Sequence, residues 1–230
     1  MSQKLKPQQQ MLILTGAVAL ASLALPILSW VFLPVQFLNT HVHEFFHAAS
    51  AILSGGEVGH IAVLGSGGGV TYVNGGSALL TGSAGYLGSS ILGALLVVLS
   101  GSDKGARTAC WILGSLIGLS MLLWVRADWT GVIWGLAWVA GLFAAGAWLK
   151  GSTLHFAGQL IGMLLCLSAA QSLLTLLGIS ATTGLHSDAR LLEMVTRVPA
   201  IAWAFVWLFF GLASMVGALR TAWKQESAEA

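Results

Sequence analysis

Apolar runs of membrane-spanning length recur along this chain, separated by short polar or glycine-rich breaks. After a polar lead at 1–10, apolar residues run from Met11 to about Leu33, interrupted by Pro26 and followed by Pro34. Its start looks like a signal peptide, with basic Lys4 and Lys6 ahead of it. The apolar character continues past a usual signal core, however, and this predicts a retained first membrane helix. Pro34 is suited to open a second helix that runs to about Leu53 and stops at Gly55-Gly56. Further spans fall at about 77–100, 108–125, 131–149, 154–178 and 198–219. The pattern predicts an all-α polytopic membrane protein with about seven embedded helices, six being the other reading. One stretch departs from it. Residues 57–64 and 70–73 are short runs with β-branched residues around the glycine cluster 65–69, which predicts a β-hairpin; the competing reading is a flexible glycine loop. No second domain is visible, so 1–230 reads as a single integral membrane domain with polar tails at 1–10 and 221–230.

Composition agrees. The chain is 57% hydrophobic and 8% charged, with mean hydropathy +0.86. Soluble domains carry about 25% charged residues, and this chain cannot cover its surface with water-compatible groups. A net charge of +2, scattered along the chain, gives no footing for nucleic acid. Cys110 and Cys166 lie far apart inside apolar runs and read as small buried hydrophobes. Lys4 and Lys6 predict a cytoplasmic N-terminus. Counting spans from there puts Arg126, Arg190 and Arg197 on the same side. Lys104, Arg107, Lys150, Arg220 and Lys224 fall on the other, an even tally that leaves orientation to the first two lysines.

Among the few polar residues, His43-Glu44-Phe45-Phe46-His47 carries the chemistry. Helix residues four apart share a face, so both imidazoles can point at one ion, with Glu44 beside them to take a proton from water. This is the H-E-x-x-H arrangement of zinc hydrolases, and it calls for one Zn2+ per chain. Catalytic zinc usually takes a third protein ligand. Glu57, His60, Asp128, His155, His186 and Asp188 are the candidates. Asp188 is preferred, because four spans separate it from the motif helix and return it to the same side. Asp128 passes the same test after two spans. Other roles open to Asp188 are an N-cap or a pair with Arg190.

The order of features resembles the site-2 protease family of intramembrane zinc metalloproteases, and most closely its small bacterial branch without a PDZ domain. The resemblance rests on the motif, Gly55-Gly56-Glu57-Val58, the glycine-rich hairpin, Ala84-Gly85-Tyr86-Leu87-Gly88, and the late Ser187-Asp188-Ala189 followed by Val198-Pro199. It covers about 35–100 and 180–210. It implies His43, His47 and Asp188 as zinc ligands, Glu44 as catalytic base, and the bacterial cytoplasmic membrane as location. It also implies membrane-spanning segments of other proteins as substrates, cut in regulated intramembrane proteolysis. Two departures stand out: Phe46 occupies a position where many relatives have Gly, which narrows the space near the metal, and the relatives' Asn-Pro-Asp-Gly or Leu-Asp-Gly pattern is absent. Asn74 is a stand-in for the substrate-clamping asparagine. An unwound substrate needs partners for its backbone in lipid; the hairpin edge at Ile61 and Val63 is the candidate surface, with His186 near the site. His41, His43, Glu44, Asp188 and His186 form a polar set suited to admit water. The sequence gives no oligomeric state. The rival readings are a catalytically silent scaffold of the same fold, against which Glu44 argues, and a transporter, against which the lack of paired inverted halves argues.

Overall fold

The computed structural model describes residues 5–24, 29–126, 128–170 and 187–225. It is mostly helical: α1 (Pro7–Ala24), α2 (Ser29–Leu53), β1 (Glu57–Val63), β2 (Gly69–Asn74), α3 (Ala78–Leu99), α4 (Asp103–Leu123), α5 (Trp129–Trp148), α6 (Gly151–Cys166), α7 (Asp188–Thr196) and α8 (Ala200–Gln225). Among the described residues, the helices at 78–99, 103–123, 129–148, 151–170 and 200–225 are long and apolar enough to cross a membrane. The protein is an integral membrane protein.

Helix starts follow local chemistry. Ser77 and Ser102 cap α3 and α4, their hydroxyls accepting the Leu80 and Gly105 amides. Asp128 caps α5 through the Thr130 amide at 2.8 Å. The Arg126 guanidinium closes the other side of that break by donating to the carbonyls of Met121, Leu122, Leu123 and Val125. Arg126 and Asp128 thus each cap a helix instead of pairing with one another.

Helix α3 is the central post, packed against α2, α6 and α8. Its approach to α6 is as close as backbones permit: a Cβ on Gly93 would strike Cys166 N and Leu165 Cβ at 2.9 Å, and one on Gly162 would strike Gly93 O at 2.6 Å. Gly162→Ala is therefore expected to lower stability by about 1–3 kcal/mol through overpacking. A methyl added at Gly217 would meet nothing within 4 Å, so Gly217→Ala should be neutral or stabilising. Thermal unfolding of the detergent-solubilised variants checks both.

Several boundaries differ from the sequence pattern. The 11–33 run is divided between α1 and α2, with 25–28 outside the described residues. Helix α2 begins before Pro34, which sits inside it. A proline early in a helix forfeits one backbone bond, here to the Trp30 carbonyl, and the helix continues; the Pro34 carbonyl also accepts Trp138 Nε1 at 2.6 Å. At the other terminus, residues 221–225, expected in a polar tail, continue α8 and bury Ala222 in the core. Pro7 starts α1, whose Leu12 and Ala19 are buried against α6 and α8, so the first apolar segment belongs to the body.

The hairpin is present, antiparallel, with an irregularity between Val58 and His60. It is fastened on two sides. Thr40 of α2 donates to Gly67 O at 2.6 Å, and Ile61 pairs in parallel with Val125, with Ile61 N to Trp124 O at 2.8 Å and Arg126 N to Ile61 O at 2.9 Å. Ile61 and Val63 are buried against Phe37, Ala48 and Val125. This corrects the expectation that they offer an edge to substrate: that edge of β1 is already taken at Ile61. The sheet ends instead at β2.

The even charge tally is corrected too. Pro7, Gln8, Gly101, Ser102, Ser152 and Gln225 line one cavity. The start of α1, the α3–α4 and α5–α6 turns, and the end of α8 therefore share one end of the bundle. Lys6, Lys104, Arg107, Lys150, Arg220 and Lys224 gather there, opposed by Asp103. Arg126, Arg190 and Arg197 lie toward the other end with Glu57, Asp128, Asp188 and Glu193.

Candidate metal centre

Four side chains converge where α2, α3 and α7 meet. On α2, His43 and His47 lie one turn apart with their Nε2 atoms separated by 2.9 Å. Asp188 opens α7 directly after its N-cap residue, Ser187, and places Oδ2 3.0 Å from His43 Nε2 and 3.3 Å from His47 Nε2. Helix α7 is seated by Ala189 and Leu192, both fully buried, with Leu192 over the bare face of Gly82 on α3. The packing of α7, not a local pairing with Arg190, aims the Asp188 carboxylate.

The imidazoles are oriented from behind. His47 Nδ1 lies 2.5 Å from the Thr81 carbonyl. A carbonyl can only accept, so Nδ1 carries a proton and Nε2 is the nitrogen that faces the cluster. The His43 ring fills the space a side chain on Gly85 would take, and the Tyr86 ring meets it edge-on at 4.4 Å. Tyr86 in turn stacks on buried Trp207 at 4.5 Å.

Two imidazole nitrogens and a carboxylate oxygen, 2.9–3.3 Å apart, form a triangle close to the ~3.3 Å edge of a tetrahedron built on zinc bonds of about 2.0–2.1 Å. The donor types and their spacing fit Zn2+. Glu44 stands beside them, 4% exposed, with a carboxylate oxygen within 4.8 Å of a ring nitrogen of each histidine. Its Oε2 accepts the Thr71 hydroxyl at 2.6 Å.

A family comparison bears on this arrangement. The profile of the Peptidase M50B-like family, a site-2 protease family, matches residues 13–218. The chain belongs to that family. Neither curated proteins nor solved structures yield a match. The M50B-like region takes in the motif helix, the hairpin, α7 and most of α8, so every side chain of the cluster lies within it.

Other sequence candidates are placed elsewhere. Asp128 caps α5, and the Thr130 amide, with help from Gly65 and Gly131, holds its carboxyl below the ordinary range. His155 pairs with Asp103 at 2.7 Å at the basic end. His60 stacks on Tyr72, Glu57 is exposed, and Asn74 stands exposed opposite Glu57 at the base of the hairpin. His186 lies outside the described residues. His41 is fully buried and its Nε2 donates to Gly131 O at 3.0 Å; it ties α2 to α5 and does not line a water path. Phe46 does not crowd the cluster, because its ring packs over Gly88 and against the apolar core around Leu38 and Leu92. Thr71, Thr81 and Tyr86 were not singled out by sequence. Tyr86 lies in the stretch that carried the resemblance, whereas Thr71 and Thr81 have no sequence signal apart from their three-dimensional neighbours.

Proposed function

We propose that this M50B-like protein is a zinc-dependent intramembrane endopeptidase that cuts in or near membrane-spanning segments of other proteins. One observation carries the reading: His43 Nε2, His47 Nε2 and Asp188 Oδ2 converge within 3.3 Å with the Glu44 carboxylate alongside. His43, His47 and Asp188 would hold the ion, one per chain. Zinc bound there would supply Lewis-acid polarisation of the scissile carbonyl and acidify a water. Glu44 accepts the proton of the attacking water and delivers it to the departing amine. His47 would bind through Nε2 because the Thr81 carbonyl accepts its Nδ1–H.

The substrate must be extended at the cut, and its bare backbone groups need partners in lipid. The outer edge of β2 supports that role. Ile61 spends its own backbone groups on Trp124 and Arg126, so its antiparallel partner Thr71 is in a non-hydrogen-bonded pair and turns its N–H and C=O to the free edge. That edge runs past Glu44. The reading is tested by reconstituting purified protein in liposomes with a membrane-spanning reporter polypeptide. Cleavage should stop on chelation and return with added zinc. No cleavage under any zinc loading sinks it.

We also propose that the N-terminus is cytoplasmic in a bacterial inner membrane. Among the described residues, six basic ones at the α1-start end against three at the other support this. The metal centre then lies in the outer half of the bilayer. With an impermeant maleimide on intact cells, Glu57→Cys should label and Lys150→Cys should not, against native Cys110 and Cys166, which are buried. The reverse pattern overturns the orientation.

A further inference from the structure

We infer that Thr71, on β2, is a positioning residue for the catalytic base: its hydroxyl clamps one oxygen of Glu44 so that the other faces the reacting water. The inference rests on the peptidase reading above. The Thr71 hydroxyl has one proton and two acceptors in reach, Glu44 Oε2 at 2.6 Å and the Glu44 backbone carbonyl at 3.1 Å. The carboxylate takes it, since a charge-assisted bond is shorter and stronger.

The free oxygen is shaped by the neighbouring strand residue. A Cβ at Gly69 would sit 2.7 Å from Glu44 Oε1 and from its Cγ. The strand therefore touches the carboxylate twice: a hydroxyl holds Oε2, and a missing side chain leaves room at Oε1. Thr40 fastens the hairpin one helical turn away on α2 through Gly67 O, which sets the height of Thr71 over Glu44. A carboxylate on a flexible stem loses rotamer freedom when it must act from one geometry, and the clamp supplies that order before substrate arrives.

A purely structural role for Thr71, tethering hairpin to helix, gives different results. Thr71→Val keeps the shape and the β-branched backbone preference but removes the proton donor; Thr71→Ser restores it. In the zinc-loaded, liposome-reconstituted protein, Thr71→Val should lower kcat by about ten- to a hundredfold, a share of what a general base contributes. KM and zinc content should stay within about twofold of wild type. Thr71→Ser should recover most of kcat. A fall in KM-linked binding alone, or a Thr71→Ser variant as slow as Thr71→Val, overturns the inference.

A second readout needs no activity. Thermal unfolding of metal-free protein is followed for Thr71→Val, Glu44→Ala and the double variant. The Tm shift caused by Thr71→Val should be clearly larger in the wild-type background than with Glu44→Ala in place, where only the backbone carbonyl at 3.1 Å is left to accept the hydroxyl. Equal shifts in both backgrounds mean no bond between the two side chains and overturn it as well. Coupling in the cycle together with a wild type that never cleaves would instead sink the peptidase reading, and with it the catalytic role of the clamp.

Discussion

Replacing Glu44 by Gln is expected to slow peptide-bond cleavage by roughly a hundredfold to ten-thousandfold, the contribution of a general base, while zinc content stays near that of wild type. The two halves of that result come from different atoms. The proposed ligand atoms sit on His43, His47 and Asp188, so the ion keeps its holders. The amide oxygen of Gln can still accept the Thr71 hydroxyl that Glu44 Oε2 accepts at 2.6 Å, so the hairpin keeps its seat. What is lost is the ability to take a proton. Measured by reporter cleavage and by metal analysis of the same preparation, a Glu44→Gln protein that cuts at the wild-type rate would rule out Glu44 as the base. One that loses zinc as well would assign Glu44 to the ligand set.

Asp188→Ala should have the opposite signature, with zinc affinity and activity falling together. Loss of an outer partner of a ligand typically costs about 10–100-fold in metal affinity, and loss of a ligand should cost at least that. The carboxylate also neutralises the site: it lies 3.0 and 3.3 Å from two imidazole nitrogens in a region with few charges. Zinc titration against a competing chelator, for wild type and Asp188→Ala side by side, measures the change. An unaltered affinity would remove Asp188 from the ligand set. Asp188→Asn, which keeps an oxygen donor without the charge, should fall between the two.

Local periodicity made much of this legible. The H-E-x-x-H spacing put two imidazoles on one helical face because helical geometry is short-range, and the β-branched runs around 65–69 gave the hairpin for the same reason. Asp188 came from counting spans, a coarse argument that Asp128 satisfied equally. What separates them is tertiary: Leu192 seated over Gly82 turns α7 toward α2, whereas Asp128 is spent on the Thr130 amide. The mistaken substrate edge has a similar origin. Sequence marks Ile61 and Val63 as strand residues but cannot show that residues 124–126, more than sixty positions later, occupy the Ile61 edge. Nor could it show that Lys6 and Lys150 share one end, since counting each helix ahead of the hairpin as a full crossing puts them on opposite sides.

The bridge between Ile61 and Val125 has a mechanical consequence. Two main-chain bonds and a buried isoleucine stitch the hairpin to the loop joining α4 and α5, and Thr40 stitches its tip to α2. Swinging it outward as a flap would strip those backbone groups of the partners they hold. The hairpin is a fixed wall rather than a door, and under the proposed peptidase function a polypeptide would enter sideways along the unstitched margin.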